Sequence, residues 1–179
     1  MSYDAAMEIR EATPSDATNL VAYLKALVAE PTIDIPLTAD EIPTVDQERH
    51  VLEDFHESER ALMLIAIDEG KIVRELSIRA ISSRKAIRHV ATLGMSVAAS
   101  QRRKGIGKQL LEAAIEWAPT AGIRRIELYV YARNDAAIKL YEAMGFNHEG
   151  RRRGFIREGS AYLDDLVMGR FIAERSGAV

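Results

Sequence analysis

Residues 95–108 read MSVAASQRRKGIGK and pass from an apolar, strand-like segment through a basic loop into the start of an amphipathic helix. Gly105 and Gly107 have no side chains at the point where the helix begins. Unpaired backbone N–H groups can therefore approach an anion closely, and the helix dipole favours negative charge there. Four cations surround these glycines, namely Arg102, Arg103, Lys104 and Lys108. The segment predicts an anion-binding turn suited to a pyrophosphate.

A glycine pair beside basic residues is a weak signal by itself, because a helix start that merely tolerates glycine has the same pattern. The segment lacks the first glycine and the Lys-Ser/Thr ending of a Walker loop. It also lacks the third glycine of the dinucleotide fingerprint Gly-x-Gly-x-x-Gly. Common nucleotide-binding folds are therefore disfavoured, while an anion site and a plain helix start both stay open.

The segments on either side of this turn alternate between strand-like and helix-like patterns. Strands are predicted over Met7–Glu11, Ala61–Ile67, Lys71–Ile81, His89–Val97 and Ile123–Val130, with two more between Phe146 and Arg170. Helices are predicted over Thr13–Ala29, Val45–Ser58, Ile106–Ala118 and Asn134–Met144. Turns at Asp68-Glu69-Gly70 and Glu158-Gly159 join neighbouring strands. This order predicts an α/β (α+β) fold with a mixed central sheet and helices on its faces.

The chain has the length and composition of one globular domain, with 179 residues, 47% of them hydrophobic and 28% charged. We therefore predict a single domain over residues 1–179, with its core at about 7–172. The absence of cysteine excludes disulfides and thiolate chemistry, and the four scattered histidines give no metal-ligand spacing. The N-terminus has no signal-peptide pattern and no segment reaches roughly 18 apolar residues, so a cytoplasmic location is expected.

Charge is unevenly distributed along the chain, whose net charge of −3 argues against a dedicated nucleic-acid binder. Between residues 30 and 60 the acidic residues greatly outnumber the basic ones, Arg49 and Arg60. Basic residues instead gather in the anion-binding turn of residues 102–108, called the glycine turn below. They gather again at Arg151, Arg152, Arg153 and Arg157. Such runs are usually solvated faces, but the acidic stretch could also select a cationic ligand.

A second motif follows about thirty residues after the glycine turn and consists of Asn134, Ala137, Ile138, Leu140, Tyr141, Gly145 and Phe146. In these two places the chain resembles the GNAT superfamily, the acyl-coenzyme A dependent N-acetyltransferases. Residues 102–107 are similar to that family's Gln/Arg-x-x-Gly-x-Gly/Ala loop, and residues 134–146 to its second signature. A looser match extends from Ile9–Thr13 to Asp164–Met168. Two motifs in this order and spacing favour a real relationship over chance.

The resemblance implies a mainly antiparallel sheet in which the strands ending at Val97 and beginning at Ile123 splay apart to form a coenzyme A cleft. It implies that the backbone of Met95 and Val97 pairs with the pantetheine arm of acetyl-coenzyme A, the cosubstrate. The pyrophosphate would lie on the turn formed by Arg102, Arg103, Lys104, Gly105, Ile106, Gly107 and Lys108. Asn134 would hold the other side of the arm, and Tyr141 would be the general acid that protonates the leaving thiolate. No metal is expected.

Two departures from the family pattern concern the acceptor side of the site. Arg74 stands where similar proteins often have glycine, and the strand before Met95 lacks the glutamate that some members use as a base. A protonated amine must lose a proton before its nitrogen attacks the thioester carbonyl, so a base is needed. Glu75, His89 and Glu127 lie on predicted strands, and we rank Glu75 and His89 equally as candidates.

Three functions remain open from the sequence. An N-acetyltransferase is favoured because both motifs and Tyr141 occur together. The alternatives are a non-catalytic acyl-coenzyme A binding or sensing module, and an interaction domain with a chance motif. The acceptor could be a small amine, an amino acid analogue, a polyamine or a protein N-terminus, and the acidic residues between Glu30 and Glu59 favour a cationic one. Neither a nucleic acid nor a membrane is expected as a partner, and a homodimer is left open.

Overall fold

The computed structural model describes residues 7–30, 34–98, 101–102 and 104–172. The strands are β1 (Glu8–Glu11), β2 (Ala61–Asp68), β3 (Lys71–Ala80), β4 (Val90–Val97), β5 (Arg125–Tyr131), β6 (Asn147–Glu158) and β7 (Ala161–Phe171). The α-helices are α1 (Ala17–Val28), α2 (Val45–Glu57), α3 (Ile106–Trp117) and α4 (Asp135–Ala143). Short 3-10 turns occur at Pro14–Asp16 and Ala39–Glu41. The predicted order of strands and helices is confirmed.

The strands form one seven-stranded sheet in the order β1-β2-β3-β4-β5-β7-β6. Strand β4 pairs with β5 in parallel, because α3 connects them as a crossover helix. Strand β1 is antiparallel to β2, and β7 is antiparallel to both β5 and β6. The predicted mixed, mainly antiparallel sheet is therefore confirmed.

The hairpin of β2 and β3 shows how local sequence produces the sheet. The segment Ala61–Ala66 is buried at every residue, as expected for a strand covered on both faces. In β3, buried and less buried residues alternate from Ile72 onward, which is the period of an extended strand. Glu69 and Gly70 join the two strands with φ of 49° and 75°. Two successive left-handed residues match the twist of the flanking strands, which favours a tight hairpin.

The helices bury apolar side chains, and α2 and α4 begin at side-chain caps. Helix α2 starts with a capping box in which the Thr44 side chain accepts a hydrogen bond from the Gln47 backbone N–H at 3.2 Å. Leu52 of the same helix is fully buried. In α3, Leu110, Leu111 and Ala114 are fully buried at helical spacing. None of the helices in the described part of the chain combines the length and apolar character needed to cross a membrane.

The chain divides into two compact units. The first unit holds β1, α1, α2, β2, most of β3, the end of β4 and the start of α3. Its core includes the fully buried side chains Leu20, Leu27, Leu52, Ile65 and Leu76. The second unit holds the end of β3, the start of β4, the rest of α3 and everything from β5 onward. Its core includes Ile78, Leu111, Ile123, Ile126, Leu128 and Met168.

Candidate functional site

A chain of hydrogen bonds in the first unit links three elements and ends on Glu75. The Ser96 hydroxyl on β4 donates to the Glu75 carboxylate on β3, with 3.2 Å between Oγ and Oε2. The Tyr23 hydroxyl on α1 lies 2.9 Å from the same Ser96 Oγ. Since the Ser96 proton points to Glu75, Tyr23 donates to Ser96. Tyr23 and Ser96 are buried and Glu75 is half-buried, so the three groups form a polar chain inside the unit.

The protonation of Glu75 is set by burial. Removal from water raises the pKa of the Glu75 carboxyl to about 7, while the Ser96 hydroxyl acts in the opposite direction. The Glu48 carboxylate raises the pKa of Glu75 further, and burial also raises the pKa of Glu48 itself. A carboxylate that titrates near neutral pH can accept a proton from a substrate and release it again, as general base catalysis requires. Burial likewise raises the pKa of Tyr23, which keeps this donor protonated.

The predicted anion-binding turn leads into α3, which begins at Ile106. Gly105 has φ of 78°, and a Cβ built on it would meet nothing within 4 Å. Glycine is therefore needed here for its backbone conformation, and the space outside it is open. The Gly105 carbonyl accepts the backbone N–H of Lys108 at 3.1 Å and that of Gln109 at 3.3 Å. These bonds close the first turn of α3.

The cations of the turn differ in their surroundings. Arg102 donates to the Glu30 carboxylate, with 3.2 Å between Nη2 and Oε2, so part of its charge is already neutralised. Lys104 and Lys108 are exposed. Arg103 lies outside the described residues. The turn therefore carries positive charge on exposed side chains that can reorient toward a solute.

The end of β4 carries the backbone groups expected to pair with pantetheine. Register pairs with β5 extend from Val90–Arg125 to Leu93–Leu128, and Met95 and Val97 follow that paired stretch. Both side chains are half-buried. Just beyond them, the backbone N–H of Ala98 donates to the Val73 carbonyl at 3.2 Å. The predicted pairing of Met95 and Val97 with pantetheine stays a prediction.

In the second unit, α4 carries Tyr141 and begins at Asn134. The Asn134 side chain caps the helix by accepting the Ala137 backbone N–H at 3.1 Å. Tyr141 is only 5% exposed, and its ring meets Phe146 edge-on at 5.8 Å. Burial raises the pKa of Tyr141 to about 12, so its hydroxyl stays protonated at neutral pH. The group thus has a proton to donate.

The other two candidate bases lie in different surroundings. His89 belongs to the turn before β4, not to the strand itself, and its carbonyl accepts the Arg124 backbone N–H at 2.8 Å. Glu127 on β5 lies 3.8 Å from the Arg125 guanidinium and accepts the Tyr129 hydroxyl at 3.0 Å. Glu127 therefore has an ion-pair partner. The structure brings Glu75 together with Ser96 and Tyr23, and it does not place His89 in that chain.

Sequence reasoning missed Tyr23 and Ser96. No motif marks them, because each is an isolated polar group in a mainly apolar helix stripe or strand. The only available signal was their inward position, since Tyr23 follows Leu20 at helical spacing and both are buried. Among the described residues, no group of three or more His, Asp or Glu side chains could hold a metal ion.

The acidic stretch between residues 30 and 60 is only partly available to a ligand. Asp34 accepts from Arg133 at 2.9 Å, and Asp46 accepts from Arg49 at 2.6 Å. Glu30 is the partner of Arg102 described above. Glu48 of this stretch is buried, and its carboxylate acts on Glu75. Any selection of a cationic ligand by this stretch therefore depends on its remaining acids.

Known proteins resemble this chain over most of its length. A sequence model of the acetyltransferase (GNAT) family matches residues 29–146. A Bacillus subtilis (strain 168) protein with the provisional name of a phosphinothricin acetyltransferase is 26% identical over 164 residues, which cover 92% of this chain and 98% of the relative.

Solved structures show the same likeness. An acetyltransferase of the GNAT family from Streptococcus pneumoniae has a TM-score of 0.86 and 36% identity, covering 93% of this chain and 99% of the other. A GNAT superfamily phosphinothricin acetyltransferase from Sinorhizobium meliloti, crystallised with acetyl-coenzyme A, has a TM-score of 0.80 and 19% identity, covering 96% of this chain and 92% of the other. At that identity the second structure shows a shared fold.

Proposed function

Because the chain belongs to the acetyltransferase (GNAT) family, we propose that it transfers the acetyl group of acetyl-coenzyme A directly to a primary amine of a small molecule or peptide. Acetyl-coenzyme A is the acetyl donor that enzymes of this family use, as in the Sinorhizobium meliloti structure. The observation that carries the proposal is Glu75, a carboxylate with a pKa of about 7 held by a buried hydroxyl. A group of this kind is expected where an amine must lose a proton near neutral pH.

The residues of the glycine turn fit the donor's pyrophosphate. Gly105 leaves open space beside the first turn of α3, where the positive end of the helix dipole favours an anion. Lys104 and Lys108 add exposed positive charge. We assign Arg102, Arg103, Lys104, Gly105, Ile106, Gly107 and Lys108 to this role. Met95 and Val97 supply backbone groups for the pantetheine arm, and Asn134 contributes its side-chain amide.

In the proposed reaction Glu75 accepts a proton from the substrate ammonium, directly or through a water molecule. The nitrogen lone pair then forms a bond to the thioester carbonyl carbon, and the carbon–sulfur bond breaks. The Met95 backbone N–H can stabilise the negative charge that develops on the carbonyl oxygen. Tyr141 donates its hydroxyl proton to the leaving sulfur, which its pKa of about 12 permits because the group is protonated at neutral pH. The nitrogen gives up its second proton as the amide forms, and that proton, carried by water, restores the Tyr141 hydroxyl.

The acceptor is proposed at the level of its reacting group, a primary amine. The Bacillus subtilis relative carries the name of an enzyme acting on phosphinothricin, an amino acid analogue, which supports including amino acid analogues among the candidates. The acidic stretch supports cationic amines, although Glu30, Asp34 and Asp46 already have arginine partners. Neutral, anionic and cationic amines of similar size must therefore be compared.

The function is tested by assaying a panel of amines for release of coenzyme A thiol. The chain contains no cysteine, so a thiol reagent reports only the product. We expect turnover with at least one amine, and a kcat/KM that rises with pH through about 7 as Glu75 deprotonates. Tight binding of acetyl-coenzyme A without thiol release on any amine would instead identify a binding or sensing module.

A further inference from the structure

Arg74 binds the backbone immediately before the glycine turn. The side chain, on β3, is only 4% exposed, and its Nη2 donates to the Gln101 carbonyl. Gln101 is buried as well, and its side-chain Nε2 donates to Asp68 at 3.0 Å. The Gln101 backbone N–H donates to the Ala98 carbonyl at 2.9 Å. Gln101 is thus held on three sides immediately before the cations of the turn.

The charge of Arg74 is poorly compensated within the first unit. Its Nε is buried and, in the part of the chain that the structure describes, makes no hydrogen bond. Among the described residues, the Gln101 Oε1 is likewise buried without a hydrogen-bond partner. Burial lowers the pKa of Arg74, while Tyr23 acts in the opposite direction and the Arg102 guanidinium lowers it again. In the described ranges no carboxylate forms an ion pair with Arg74. A buried cation of this kind is costly, and an anion bound nearby would offset that cost.

We propose that Arg74 is a positioning residue for the glycine turn, which it holds through Gln101, and that its buried charge strengthens binding of the donor's pyrophosphate. This inference rests on the proposed use of acetyl-coenzyme A.

Arg74 could instead serve only to stabilise the packing of β3 against the turn. The two roles differ in what they do to a donor that lacks phosphate. Acetyl-pantetheine carries the thioester and the pantetheine arm but no pyrophosphate. A merely structural residue would affect both donors alike, because a distorted turn shifts the end of β4 as well. A residue acting through the pyrophosphate would affect acetyl-coenzyme A alone.

The test compares Arg74→Met, Arg74→Lys and the control Arg79→Met, which removes an exposed arginine of the same strand. For Arg74→Met we expect the KM for acetyl-coenzyme A to rise about tenfold, the size of one lost charge-assisted hydrogen bond. The kcat and the KM for acetyl-pantetheine should stay within about twofold. Arg74→Lys should recover part of the loss, and Arg79→Met should behave as wild type.

Equal increases of KM for both donors, or no increase for acetyl-coenzyme A, would overturn the proposal. Calorimetric Kd values for coenzyme A and pantetheine give the same comparison without turnover. If the wild-type protein binds coenzyme A but acetylates no amine, the proposed function fails while these Kd values still decide the role of Arg74. If Arg74→Met does not fold, Arg74→Lys decides, because it should weaken coenzyme A binding selectively.

Discussion

Two acidic side chains in the first unit, Asp16 and Glu75, have opposite electrostatic surroundings. The Arg10 guanidinium donates two hydrogen bonds of 2.7 and 2.8 Å to the Asp16 carboxylate. The Thr13 backbone N–H also donates to this carboxylate. These bonds lower the pKa of Asp16 to about 2, although the residue is only 5% exposed. Glu75 instead accepts from a hydroxyl and feels the nearby Glu48 carboxylate, and burial raises its pKa to about 7.

The difference shows that burial alone does not decide the charge of a carboxylate. Burial disfavours the ionised form of both groups, and a paired guanidinium reverses that effect at Asp16 only. Asp16 stays ionised and serves to join β1 to the 3-10 turn before α1. Glu75 instead changes its protonation near neutral pH, as the proposed general base requires. Glu75, whose pKa is raised by burial, is therefore the candidate base in this unit.

The largest expected effect comes from Glu75→Gln, which removes the titrating group and keeps its shape. We expect kcat/KM for the amine to fall at least about 100-fold, within the usual range for a general base. In the wild type, kcat/KM should rise with pH through about 7 as Glu75 loses its proton, and the mutant should lack that rise. Steady-state kinetics across pH measures both.

The matched control for this variant is Glu127→Gln on β5. Glu127 already has Arg125 and Tyr129 as partners, so its loss should change kcat/KM by less than about threefold. Equal losses from both substitutions would remove the distinction between the two glutamates. The base would then have to be sought elsewhere, with His89 as the first alternative.

Asp16→Asn tests the other carboxyl group, through the free energy of unfolding of the protein. Because the folded-state pKa lies near 2 and the ordinary value is 3.8, ionised Asp16 contributes about 2 kcal/mol at neutral pH. That contribution is present above about pH 4 and is lost as pH falls through about 2. Urea unfolding at several pH values should show the mutant about 2 kcal/mol less stable at pH 7 and converging with the wild type in acid.

Glu75→Gln should have the opposite effect on stability. The folded state binds a proton at Glu75 more tightly than the unfolded chain does, because the pKa is raised from 4.5 to about 7. The wild type therefore loses stability as pH rises through this range, whereas glutamine does not titrate. The mutant should be more stable than the wild type at pH 8. A destabilised mutant at that pH would contradict the buried, unpaired state of Glu75.

Tyr141→Phe tests whether the buried, protonated Tyr141 hydroxyl in the second unit acts as the general acid. We expect kcat to fall at least about tenfold with little change in acetyl-coenzyme A affinity, less than the usual loss because water can substitute. Tyr129→Phe, which removes an exposed hydroxyl bonded to Glu127, is the control. A near wild-type kcat would leave Tyr141 as a packing residue against Phe146.

The smallest expected effect comes from placing a new carboxylate at the glycine turn. Gly107→Asp should weaken acetyl-coenzyme A binding several-fold, since a carboxylate there repels the pyrophosphate and limits its approach. Gly107→Asn has nearly the same size without the charge and should weaken binding less. Calorimetry gives both Kd values, and circular dichroism checks that each variant is folded. Unchanged affinity in a folded Gly107→Asp protein would refute the assigned site.

Local sequence was sufficient for the order of the elements and for the glycine turn. The two-residue hairpin at Glu69 and Gly70, the capped helix from Asn134 and the helix start at Ile106 are all confirmed. Each depends on residues within a few positions of one another, through backbone conformation, capping or apolar period. The sequence also identified the family, because its two motifs are short continuous segments.

Only the tertiary structure separated Glu75 from His89. Ser96 lies 21 residues from Glu75 along the chain and Tyr23 lies 73 residues from Ser96, so no local pattern links the three groups. Burial depends on what the whole chain packs around a group, and burial sets the pKa of Glu75 and the cost of the Arg74 charge. The sequence determined which groups exist and in what order. The packing of α1, β3 and β4 decided which of them lie away from water, and so which carboxyl titrates near neutral pH.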